Sequence, residues 1–132
     1  MKRFLRTLIG VVIGYALMGG LITLVQETWF GGASWHETPF GELSVAGFFT
    51  CVGSAIGAVV ATAVAANGRI PALIMSGLVM VETTWLVTSG RADGPLWFDV
   101  LAASSLIVAI LTGAQFFLWL RRRNGNTTGT KN

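Results

Sequence analysis

The chain has 132 residues, of which 53% are hydrophobic and only 11% charged, and its formal net charge is +3. Soluble domains are about 25% charged, so too little polar surface is present here to cover the apolar content in water. The basic excess does not point to nucleic acid either, because the cations stand just beyond apolar runs and form no patch with interleaved aromatics.

The first apolar run follows the basic start "MKRFLR" and predicts a helix over 7–29. It is long for the apolar region of a secretory signal and lacks a convincing small-x-small cleavage site, so it reads as a retained helix. Further runs predict helices over 43–66, 71–89 and 96–120. At about 1.5 Å per residue, each can cross a hydrocarbon core of about 30 Å. Pro71 suits a first helical turn, where its missing N–H costs nothing, and Pro95 marks the entry to the fourth run. The links "NGRI" and "GRADGP" are short enough to make consecutive helices antiparallel neighbours. The longer loop "FGGASWHETPFGE" reads as irregular, with Trp29, Phe30 and Trp35 suited to a headgroup layer. Residues 124–132, "NGNTTGTKN", read as a disordered polar tail. The expected architecture is an all-α, integral membrane four-helix bundle forming one domain over residues 1–123.

Charge predicts its orientation. Lys2, Arg3, Arg6, Arg69, Arg121, Arg122, Arg123 and Lys131 fall on one side of that bundle, and Arg91 alone on the other. The positive-inside rule then makes both termini cytoplasmic and turns the His36 loop outward. Glu27, Glu37, Glu42, Glu82, Asp93 and Asp99 all belong to the outer half, which gives that end a negative character.

Helices in lipid gain nothing from burying apolar surface against one another, so close backbone approach must hold them together. Small residues recur at four-residue spacing: Gly10 and Gly14, then Gly53, Gly57, Ala61 and Ala65, then Ser105, Ala109 and Gly113. They predict packing ridges, either within the bundle or toward an identical subunit or a larger complex. Phe116, Phe117 and Trp119 before "RRR" read as interfacial anchoring, as do Trp97 and Phe98 at the other end.

Chemistry is harder to find. His36 and Glu37 are the one adjacent acid–base pair, and no HExxH, CxxC, GxSxG or phosphate-binding glycine loop is present. Cys51, inside an apolar run, has no second cysteine to pair with. No cofactor, metal or catalytic role is expected. The residue that stands out is Glu82, in "GLVMVETTWLV", about two turns inside the outer end of its helix. Ionisable side chains at such depth face a bundle interior or a wet cavity. Reflecting the chain through its short turns brings Ser54, Ser104 and Ser105 to the depth of Glu82 as candidate hydrogen-bond partners. Glu27 and Asp99 are candidate acids at an outer mouth. Tyr15, near mid-bilayer, needs a partner for its hydroxyl.

The Gly/Ala-rich "GSAIGAVVATAVAANGR", the tight basic turn into "PALIMSGLVMV", and "PLWF" opening the fourth run resemble a group of small, uncharacterised four-helix proteins of bacterial inner membranes. The likeness spans roughly Gly53 to Gly113. It implies a fold and an inner-membrane address but no activity, and "ETT" at Glu82 to Thr84 departs from the group's more uniformly apolar third helix. Small multidrug transporters also bury a carboxylate among four helices, but in the first helix rather than the third. The reading that emerges is a non-enzymatic membrane protein, accessory or structural, acting through helix–helix contacts. The alternative is a small transporter or proton-linked channel using Glu82.

Overall fold

A computed structural model describes residues 2–31, 37–65, 68–91 and 94–127. Trp35, His36, Asp93 and Lys131, singled out above, lie outside the described residues. The elements are four α-helices: α1 (Lys2–Phe30), α2 (Phe40–Ala65), α3 (Ile70–Thr88) and α4 (Leu96–Thr127). All four are long and apolar enough to cross a membrane.

The helices overrun the apolar runs where flanking residues favour it. α1 starts within the basic leader, since Lys and Arg are good helix formers and a helix need not stop where hydrocarbon would. The same propensity carries α4 through "RRR", and the helix runs on to Thr127 although Asn124, Gly125, Asn126 and Thr127 are poor helix formers, so residues 124–127 are helical where a disordered tail was expected. α2 opens just after Pro39, whose carbonyl accepts the Leu43 N–H at 3.1 Å. α3 begins with Pro71 in its first turn, as anticipated, and is the shortest helix, with 19 residues. It ends where Gly90 adopts φ 68°. That left-handed residue lets Gly90 N–H reach Val87 O at 3.3 Å and Arg91 N–H reach Leu86 O at 3.1 Å, closing two otherwise orphaned carbonyls.

Among the described residues, α2 makes the most extensive contacts, first with α1 and then with α4. α3 lies mainly against α4 and touches α1 and α2 more lightly, while α1 and α4 do not meet. The turn-linked pair α2 and α3 are thus neighbours, but only loosely.

The α1–α2 seam is built on glycine. A Cβ placed on Gly10 would lie 2.6 Å from the Ala61 carbonyl oxygen, and one on Gly14 would lie 2.5 Å from that of Gly57. These backbones approach as closely as the spacing anticipated, in antiparallel register. Gly53 is different, because a Cβ there would meet Leu21 at an ordinary 3.4 Å. On α4 the close approach is at Gly113, against the Ala55 backbone at 2.6 Å from its oxygen. Ser105 is exposed and Ala109 only half-buried. A four-residue step advances about 40° around a straight helix, so a stripe aligned on Gly113 has turned away from α2 by Ser105. The core gathers Val11, Met18, Ala58, Ala61, Ala72, Met75, Val79, Ile110 and Ala114.

Candidate functional site

Glu82 occupies the inward-looking line of α3. Met75, Val79 and Glu82 recur at helical spacing, and the first two are buried at 0% and 3% exposure. Glu82 is exposed. The difference arises because α3 is packed over its first half, where Pro71, Ala72, Met75, Ser76 and Val79 are buried, and uncovered over its second. Met80, Val81, Trp85 and Leu86 are all exposed there alongside the carboxylate.

Its partner is on α1. The Tyr15 hydroxyl donates a hydrogen bond to Glu82 Oε2, joining two helices that otherwise touch only lightly. Tyr15 follows Gly14, and the two residues divide the labour of α1. Gly14 lets α2 in, while Tyr15, on the adjacent line with Val11 and Ile22, packs on the core edge and reaches α3. A carboxylate offers about four lone-pair sites, so one phenol leaves it able to accept further donors. The pair can therefore hold two helices together, present an acceptor to a partner's polar group, or pass a proton.

The serines anticipated beside Glu82 are engaged elsewhere. Ser54 donates to Thr50 O at 2.8 Å, Ser104 to Val100 O at 2.7 Å, and Ser105 to Ala102 O at 2.7 Å. Thr84 similarly turns back to Met80 O at 2.7 Å. A carbonyl three or four residues back is always within reach of a helical hydroxyl, so these side chains need no neighbouring helix. Ser54 is fully buried, whereas Ser104 and Ser105 are exposed.

The two acids proposed for a shared mouth are not brought together, since Glu27 is on α1 and Asp99 on α4. Glu27 is exposed in the last turn of α1. Asp99 is in the first turn of α4, where the helix dipole favours a carboxylate, and its Oδ2 is buried without a hydrogen-bond partner. Arg91 stacks over Trp85, 5.0 Å from the ring centroid. Cys51 is a half-buried free thiol. Among the described residues, no three His, Cys, Asp or Glu side chains group as a metal would require.

Among the described residues these features define an all-helical chain with four potential membrane spans and an interhelical phenol–carboxylate link. No family model, curated protein or solved structure matches the chain.

Proposed function

We propose that this is a non-enzymatic, multi-pass protein of a bacterial cytoplasmic membrane, an accessory or structural component that works by docking another membrane helix. The carrying observation is the uncovered outer half of α3, where an exposed carboxylate sits among Met80, Val81 and Trp85. In hydrocarbon a carboxylate with one phenol for a partner and lipid over the rest of it is expensive. A helix laid over α3 would cover Glu82 and use its spare acceptor capacity, and the partner is a second copy of this chain or a subunit of a larger complex. Both termini face the cytoplasm in this reading, consistent with the eight-to-one division of basic residues between the two ends and with the inner-membrane address of the resembling group. The test is particle mass in native lipid nanodiscs. A mass well above one 14.0 kDa chain is expected, and a uniform single chain would contradict docking.

The Tyr15–Glu82 bond favours a second reading, a proton-linked channel or transporter. It is tested in sealed vesicles, where Glu82→Gln would abolish a proton flux that the unaltered protein supports. Absence of any flux from the unaltered protein removes this alternative.

A further inference from the structure

A groove of about 710 Å³ lies between the first turn of α3 and the second half of α4. Leu73, Leu111 and Phe116 give it apolar walls, and Arg69, Gln115 and Trp119 bring polar groups to it. We infer that this groove binds one anionic phospholipid of the cytoplasmic leaflet, its phosphate on Arg69 and an acyl chain along α4. The inference rests on the membrane-spanning reading above.

Charge complementarity carries it. The sequence has no Asp or Glu before Glu27, between Glu42 and Glu82, or after Asp99, so no acidic side chain belongs to the end of the bundle that holds Arg69. The nearest on its own helix, Glu82, is about 20 Å away along the axis. Among the described residues no acidic side chain stands at that end to pair with Arg69, which is exposed and lines the groove, and a guanidinium is suited to bidentate contact with phosphate. Depth agrees: from Leu111 to Trp119 is about 12 Å along α4, against about 15 Å for half a hydrocarbon core. A headgroup at Arg69 therefore leaves an acyl chain lying along Leu111 and Leu73. Gln115, exposed on a helix of this kind, gains a hydrogen-bonding partner in the glycerol region. A free ion, the alternative source of phosphate, would engage Arg69 but not the apolar walls.

The test uses the full-length chain purified from membranes in mild detergent, with native mass spectrometry after addition of phosphatidylglycerol or phosphatidylcholine. Retention of phosphatidylglycerol over phosphatidylcholine is expected, reduced about fivefold in Arg69→Gln. Arg69→Lys should retain part of the preference. Arg3→Gln, which removes the same charge from α1, should leave it intact, and melting temperatures confirm that all variants are folded. Equal retention by the unaltered protein and Arg69→Gln overturns the proposal, as does an equal loss in Arg3→Gln, which would reveal diffuse attraction. Displacement by millimolar inorganic phosphate, or equal binding of short-chain phosphatidylglycerol, overturns the acyl groove. Release of the chain from membranes by alkaline carbonate would overturn the spanning reading and the lipid site with it. Retention in the membrane without lipid preference overturns the lipid site alone.

Discussion

Gly14 on α1 and Gly57 on α2 lie face to face. A Cβ on Gly14 would sit 2.5 Å from the Gly57 carbonyl oxygen, and a Cβ on Gly57 would sit 2.6 Å from that of Gly14. The obstacle in each direction is backbone, which cannot rotate aside as a side chain can.

Substitution here should therefore separate the two helices rather than repack them. Gly57→Leu is expected to destabilise the bundle by about 1–3 kcal/mol, the usual range for overpacking, and Val60→Leu by less. Gly77 is a useful contrast, because nothing lies within 4 Å of a Cβ built there. Gly77→Ala should be neutral or stabilising by up to about 1 kcal/mol through helix propensity. Thermal melting in detergent ranks the variants, and equal melting of Gly57→Leu and Val60→Leu would remove the seam from the account.

The Tyr15–Glu82 link predicts coupling between the two residues. Tyr15→Phe and Glu82→Leu each remove one end of the bond, and a double-mutant cycle should return an interaction of about 0.6 kcal/mol, typical of interhelical hydrogen bonds in a membrane. Glu82→Gln should fold and assemble nearly as well as the unaltered protein, since its carboxamide oxygen can still accept from Tyr15. Strict additivity of the two single substitutions would show that the bond contributes nothing to folding.

The four helices and the α1–α2 seam were legible because both follow from local patterns, unbroken apolar runs and small residues at four-residue spacing. The limits of the Ser105–Ala109–Gly113 stripe lay in its length, since a spacing of four drifts around a straight helix, so that Gly113 meets the Ala55 backbone while Ser105 is exposed. Glu82 stood out by its chemistry, but its partner did not. Reflection through the short turns compares α3 only with α2 and α4, and α1 enters only once helix rotations are fixed. The one available signal was Tyr15 itself, a deep hydroxyl in want of an acceptor. The serines misled because their own helices satisfy them, and nothing in a sequence shows which of two acceptors a hydroxyl will choose.

Orientation is tested by thiol labelling in a Cys51→Ser background. Glu37→Cys in intact cells should react with an impermeant reagent, and Asn124→Cys should react only after lysis. This follows from the basic residues gathered at the end that carries Arg69 and Arg121. Reaction of Asn124→Cys alone in intact cells would invert the topology.

Helix docking over α3 is the central claim, and site-specific photocrosslinking in native membranes tests it most directly. Val81 on α3 and Val108 on α4 are similarly exposed, at 68% and 63%, so lipid alone would treat a probe at either position alike. A photoreactive residue at position 81 should yield a discrete protein adduct of fixed mass, weakened by Glu82→Leu, while one at position 108 should yield lipid adducts only. Lipid adducts alone at both positions would contradict the account.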